Sequence, residues 1–320
     1  MTDQASAIPP ALDARKFRDP DRTATGEPRA AVELAALRTL WLNTGTLCNL
    51  TCAHCYIESS PTNDRLAYLD LADVEPLLDE IASLGLPTRE IGFTGGEPFM
   101  NPAIVPILEA ALARGFRALV LTNAMRPMMK LEAALMDLRR RFGARLALRV
   151  SIDHYTPALH ELERGRNSWR PAIDGLVWLG KNGFEPKVAG RTLWREPEAS
   201  LRAGYARLFA ALGLALDAQD PEALVLFPEM DERLDVPEIT TRCWSLLGVD
   251  PGAMMCATSR MVVKRKGESR ATVMPCTLIP YDERFVMGPL LADAMGPVKL
   301  NHPHCARFCV LGGGSCSRGG

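Results

Sequence analysis

The chain has 320 residues, 47% hydrophobic and 23% charged, and its 37 Lys+Arg against 38 Asp+Glu leave a formal charge of −1. That balance describes a globular protein of about two domains at ~150 residues each, and it excludes disordered and collagen-like chains. A near-neutral chain offers no basic field for nucleic acid or anionic membrane. No apolar run approaches the ~18 residues of a spanning helix, and the N-terminal MTDQASAIPPALDARK has no apolar signal core, so a cytoplasmic protein is expected. Nine cysteines, an odd number without an export signal, argue against a disulfide framework and for metal ligation.

Residues 1–36 show no sustained apolar period and read as a flexible tail, with a helix near Ala30–Arg38. Leu37–Asn43 alternates like a strand. Leu71–Leu84 has helical spacing, with Asp70 as its N-cap and Gly85 as its stop. Strands at Glu90–Phe93, Ala118–Leu121, Arg145–Ile152, Lys187–Leu193 and Leu224–Phe227 then alternate with helices. Those helices are Ile104–Arg114, Lys130–Arg141, Ala172–Asn182 and Leu201–Leu212. About six β–α units predict an α/β fold with parallel strands, a partial (β/α)6 barrel over 37–235 whose functional loops lie at the strand C-termini. The rhythm stops near 235, and 236–320 is a small cysteine-rich extension.

Cys48, Cys52 and Cys55, spaced C-x3-C-x2-C, follow the first predicted strand. Three thiolates this close take three corners of a [4Fe–4S] cubane and leave one iron open, as catalytic zinc sites keep an open position. A structural zinc trio is the competing reading. FTGGEPFMN ends the next strand, where Gly95 and Gly96 allow a ligand close to the backbone and Glu97 can accept from an amine. Asn123 ends the third strand. Ser151 and Asp153 end the fourth and, two apart, point to one side. A plain strand-to-helix turn accounts for each of these taken singly.

Together the trio and the GGEP loop resemble the radical S-adenosylmethionine (SAM) superfamily. The resemblance implies that Gly95, Gly96 and Glu97 support the SAM amino group and that Ser151 lies near its ribose. It continues through SIDHYTPALHELERGRNSW, where His160, Glu161, Arg164 and Gly165 fill the family's places. Arg191 is the candidate for the SAM carboxylate, with Asn123 and Asp153 lining the same pocket. His54 packs beside the cluster.

Cys243, Cys256, Cys276, Cys305, Cys309 and Cys316 crowd the last part of the chain, near His302 and His304. Grouped Cys and His suit structural zinc. The layout also resembles the SPASM and twitch extensions of radical SAM enzymes, which bind auxiliary iron–sulfur clusters. It departs from them in having C-x3-C-x6-C for C-x2-C-x5-C, and six cysteines for seven. One auxiliary [4Fe–4S] cluster is expected, with its four ligands unassigned. Tyr281 and Asp282 are candidates on the substrate side, and Lys264–Lys266 reads as a hairpin tip.

The resemblance implies an enzyme that passes one electron from its cluster to SAM on the open iron. The resulting 5′-deoxyadenosyl radical abstracts hydrogen from a substrate. A flavodoxin- or ferredoxin-type donor is implied, with a peptide or protein residue as substrate, or alternatively a small molecule. A non-catalytic iron–sulfur or zinc protein on the same scaffold is the reading from another class, and SAM binding separates the two.

Overall fold

The computed structural model describes residues 10–228 and 230–314. A short strand β1 (Ala31–Val32) precedes β2 (Thr39–Asn43). There follow α1 (Leu71–Ser83), β3 (Glu90–Thr94), α2 (Ile104–Ala113), β4 (Arg117–Thr122), α3 (Arg126–Met129), α4 (Glu132–Phe142) and β5 (Leu146–Ser151). Next come α5 (Pro157–Arg164), α6 (Trp169–Lys181), β6 (Lys187–Arg191), α7 (Glu198–Leu212) and β7 (Leu224–Phe227). The remainder holds α8 (Cys243–Leu247), β8 (Ser259–Val263), β9 (Thr272–Met274), β10 (Val298–Lys299) and a π-helix at Cys305–Leu311.

Strands β2 to β7 lie side by side in chain order and all run parallel, as six β–α units require. The extension adds to the same sheet: β8 pairs parallel with β2, placing Arg260 opposite Leu40, and β9 returns antiparallel. The eight strands thus run β7-β6-β5-β4-β3-β2-β8-β9, an α/β sheet that stays open between β7 and β9. Helix α1 forms as its pattern dictates. Asp70 and Asp73 make a reciprocal capping box, and Val74, Leu77, Leu78 and Ile81 bury one face. On the opposite face of the sheet Trp41 lies flat on Gly92, where a Cβ would come within 2.3 Å of the indole.

The N-terminal segment departs from expectation. From residue 10 it is packed, with Phe17, Ala30 and Val32 buried. In place of a helix near Ala30–Arg38, β1 pairs antiparallel with β10. Lys16 bonds Asp235 at 2.7 Å and Arg29 bonds the Leu300 carbonyl at 3.1 Å, so the segment straps the extension. These contacts reach some 200 residues along the chain, and no local period announces them. Helix α5 is absent from the expected helices although Thr156-Pro157 and Gly165 mark its two ends, and the side chains it buries are His160 and Glu163 rather than an apolar stripe.

Candidate metal and cofactor site

Beyond β2 the chain turns into the loop that carries the trio. Cys48 N–H donates to the Ser60 carbonyl at 3.0 Å, which closes the loop on itself. The Cys48 sulfur accepts the Leu50 N–H and the Cys55 sulfur that of Ser59, both at 3.4 Å. All three cysteines open onto one cavity at the C-terminal ends of the parallel strands. Burial pushes the Cys48 thiol up to about 12 and the Cys52 thiol up to about 11. Each therefore needs a bound cation to become a thiolate.

The sulfur spacing separates zinc from a cluster. Among the described residues, Glu232, His302 and His304 are the one set of three ligating side chains with all ligand atoms within 4.8 Å of one another. The trio is spread more widely. A single tetrahedral zinc, with Zn–S of ~2.3 Å, holds its sulfurs about 3.8 Å apart, so the larger cubane is the better fit. In the His–Glu set, His302 Nδ1 accepts the His304 N–H at 3.2 Å, whereas a metal-bound imidazole donates from its second nitrogen.

Gly95 and Gly96 line the cavity, but the closest approach there is made by the chain itself. Gly96 N–H donates to Gly45 O at 2.8 Å and Glu97 N–H to Leu47 O at 3.1 Å. A Cβ on Gly95 would meet Gly45 O at 2.4 Å, and one on Gly96 would meet Leu47 O at 2.2 Å. The two loops dock backbone to backbone, which only glycine permits. The Glu97 carboxylate, expected to face an amine, instead braces the end of β4. It accepts from Thr122 Oγ1 and the Asn123 N–H, each at 2.8 Å, and from the Phe99 N–H at 3.2 Å. Burial pushes it up to about 7. Asn123 lines the cavity and ties β4 to the cysteine loop through Asn49, at 2.9 Å.

Ser151 and Asp153 both reach the cavity, and Arg164 takes up the Asp153 carboxylate with bonds of 2.6 and 3.2 Å. Arg191 lines the cavity from the end of β6. Its Nη1 bonds Glu163 at 3.1 Å and the His54 carbonyl at 3.0 Å, while Nε and Nη2 are buried without a partner. Glu163 was not anticipated. It accepts the His54 N–H at 3.0 Å, lies 2.6 Å from His54 Nδ1, and its carbonyl accepts the Ala53 N–H. His54 thus packs beside the trio, held by Glu163. No sequence signal marks a buried Glu inside ELERG.

In the extension, Cys256, Cys276, Cys305 and Cys309 line a second cavity with Met255 and Ile279. Cys256 precedes β8 and Cys276 follows β9, so the antiparallel hairpin brings them together. Cys305 and Cys309 come from one face of the π-helix, whose widened turns are characteristic of functional sites. Burial pushes Cys256 up to about 11 and Cys305 up to about 12. Cys243 stands apart at the start of α8, its sulfur 3.4 Å from the Thr240 N, and Cys316 lies outside the described residues. Leu278 lines both cavities.

Tyr281 and Asp282 do not line the central cavity. The Tyr281 hydroxyl donates to the Ile57 carbonyl at 2.7 Å, with Arg65 over its ring, and Asp282 caps a short turn and pairs with Arg284. Tyr281 thus ties its segment to the cysteine loop, and the Asp282 carboxylate is engaged within its own turn. Among the described residues no helix is long and apolar enough to cross a membrane.

A sequence model of the radical SAM superfamily matches residues 42–201, half of the chain, including the trio and every strand-end residue of the cavity up to Arg191. The antilisterial bacteriocin subtilosin biosynthesis protein AlbA of Bacillus subtilis is 33% identical over 143 residues, 44% of this chain and 30% of its own length. A GTP 3′,8-cyclase of Geobacter sulfurreducens is 29% identical over 171 residues, 50% of this chain and 48% of its own. The chain therefore spans less than half of either relative. In fold it resembles Streptococcus suis SuiB bound to S-adenosylmethionine, with a TM-score of 0.58 at 11% identity over 80% of this chain and 64% of that one. It also resembles anSMEcpe with bound AdoMet, at 0.57 and 13% identity over 80% and 79%. Family members use a [4Fe–4S] cluster and S-adenosylmethionine, and the chain belongs to the radical SAM superfamily.

Proposed function

We propose that this chain is a two-cluster radical SAM enzyme acting on a peptide, with the radical chemistry in 37–235 and the second cluster in 236–320. One observation carries the reading. Cys48, Cys52 and Cys55 share a cavity with Arg191, whose two unpartnered nitrogens call for an anion. When bound, the cluster and S-adenosylmethionine together supply a 5′-deoxyadenosyl radical that abstracts hydrogen from the substrate.

Cys48, Cys52 and Cys55 hold three irons of that cluster. Arg191 Nε and Nη2 face the carboxylate of S-adenosylmethionine, Ser151 offers its hydroxyl to the sugar, and Gly95 and Gly96 present backbone to the amine. Asn123 and the Asp153–Arg164 pair keep the strand ends in place around them. Phe227, Leu278 and Phe308 close the cavity with apolar surface and exclude water from the radical. Cys256, Cys276, Cys305 and Cys309 hold the second [4Fe–4S] cluster, leaving Cys243 and Cys316 out of the set. A flavodoxin or ferredoxin supplies the electron.

A peptide substrate is supported by two relatives, since AlbA serves bacteriocin biosynthesis and SuiB has been crystallised with its precursor peptide SuiA. The GTP 3′,8-cyclase matches favour a small molecule as the second reading.

The test is anaerobic reconstitution with iron and sulfide, followed by assay of 5′-deoxyadenosine with S-adenosylmethionine and dithionite. Two clusters predict about eight irons per chain in the wild type. About four are predicted after Cys48→Ala/Cys52→Ala/Cys55→Ala or Cys256→Ala/Cys276→Ala, and product is absent from the first variant. Zinc in place of iron, or a cluster-loaded protein with no affinity for S-adenosylmethionine, overturns the reading. Labelled hydrogen transferred from peptides or from GTP into 5′-deoxyadenosine decides between the substrates.

A further inference from the structure

Arg260, on β8, is fully buried. Its guanidinium donates to four backbone carbonyls: Ala294 at 2.8 Å, Cys256 at 2.6 Å, Ser259 at 2.8 Å and Gly296 at 3.0 Å. Among the described residues it has no carboxylate within ion-pairing distance. Two other buried arginines do: Arg29 pairs with Glu238, and Arg191 with Glu163. A guanidinium does not give up its proton in a protein, and a buried charge without a counter-charge is costly. The carbonyl dipoles satisfy its hydrogen bonds and offset part of its charge, but none of these four partners carries a formal negative charge.

The anion is supplied next door. One of Arg260's bonds goes to the carbonyl of Cys256 itself, and its charge acts on the thiols of both Cys256 and Cys276. Those are two of the four cysteines around the second cavity. A cubane held by four thiolates carries net negative charge, and one unit more after reduction.

We propose that Arg260 is the built-in counter-charge of the second cluster and sets its reduction potential. The inference rests on the four-cysteine reading above. A fixed cation beside the cluster stabilises the more negative, reduced state and raises the potential. Arg260 touches neither substrate nor iron, so it is a positioning and tuning residue. Its place on β8, hydrogen-bonded to the β2 edge of the barrel sheet, also ties the cluster's charge balance to the core fold.

The test is an EPR-monitored redox titration of the reconstituted full chain, repeated on the Cys48→Ala/Cys52→Ala/Cys55→Ala protein, where only the second cluster's signal remains. Arg260→Gln removes the charge and keeps part of the hydrogen bonding. It is expected to disfavour reduction of the second cluster by about tenfold or more, a fall of 59 mV or more for one electron. Arg260→Lys keeps the charge, and its potential is expected to stay near that of the wild type. The first cluster's potential is expected to hold in both.

A purely structural bolt would alter stability without moving the potential. An Arg260→Gln potential equal to wild type, or an Arg260→Lys potential that falls as far as that of Gln, overturns the proposal. If the Gln variant does not fold, the Lys variant decides: retention of the potential supports the counter-charge, and a tenfold fall overturns it. A trio variant that retains no cluster overturns the four-cysteine reading itself, and Arg260's role with it.

Discussion

Arg191 Nη1 lies 3.1 Å from Glu163 Oε1 and 3.0 Å from the His54 carbonyl, so an ion pair between β6 and α5 grips the backbone between the second and third cysteines. Glu163 also grips His54, through its N–H and ring. The cysteine loop has little regular structure of its own, and this buried pair is what holds its far half against the barrel.

Glu163→Ala is therefore expected to cost about 3–5 kcal/mol, the penalty for leaving one member of a buried pair uncompensated. It is also expected to lower the iron content of the first site. Denaturant unfolding and iron analysis read the two effects. Stability and iron content both equal to wild type would show that the pair does not hold the loop.

Arg191→Met is expected to weaken S-adenosylmethionine binding by about 10- to 100-fold, the worth of a charged hydrogen bond of 1.5–3 kcal/mol. Arg191→Lys should lose less, because it keeps the charge that Glu163 and a carboxylate ligand both need. Calorimetry on the cluster-loaded protein measures both. Undiminished affinity in the Met variant would remove Arg191 from the cofactor site.

Gly96→Ala would put a methyl 2.2 Å from the Leu47 carbonyl, a backbone contact that cannot swing away. A loss of about 1–3 kcal/mol is expected from the overpacking, along with poorer cluster loading as the two loops separate. Gly296→Ala, with open space around the new methyl, is the control. Equal thermal midpoints for the two variants would rule out the docking of the loops as a source of stability.

His160 is fully buried against Trp169, both ring nitrogens lack partners, and burial pushes it down to about 4 from 6.5. Its folded value lies below its unfolded one, so the unfolded chain binds the extra proton between pH 6.5 and 4. The stability held above pH 6.5 is then lost as the pH falls through that window, by about 3 kcal/mol in all. His160→Phe keeps the ring packing and should make this part of the profile shallower, the buried His302 and His304 keeping a share of it. An unchanged slope between pH 6.5 and 4 in urea unfolding would place the titrating group elsewhere.

Much of the site could be read from the chain because its signals are local. Three cysteines within eight positions, two glycines on the next strand end and a Ser-x-Asp alternation each need only a turn or a strand to bring their atoms together. Glu97 shows where this stops. The motif places it correctly in the sequence, but its carboxylate turns towards Thr122 and Asn123 because those donors lie on the neighbouring strand. Glu163 gave no signal at all, since its partners are His54 and Arg191, which lie 109 and 28 positions away.

By itself the sequence determined the alternating β–α order and the cysteine trio with its glycine loop, because apolar periodicity and short-range ligand spacing are written along the chain. Tertiary structure alone decided four things: that Cys256, Cys276, Cys305 and Cys309 share one cavity; that residues 10–36 strap the extension; that β8 joins the sheet beside β2; and that Arg260 is buried among carbonyls. Each of these depends on which distant segments pack together. Burial and charge compensation are properties of that packing, and no local pattern of residues encodes them.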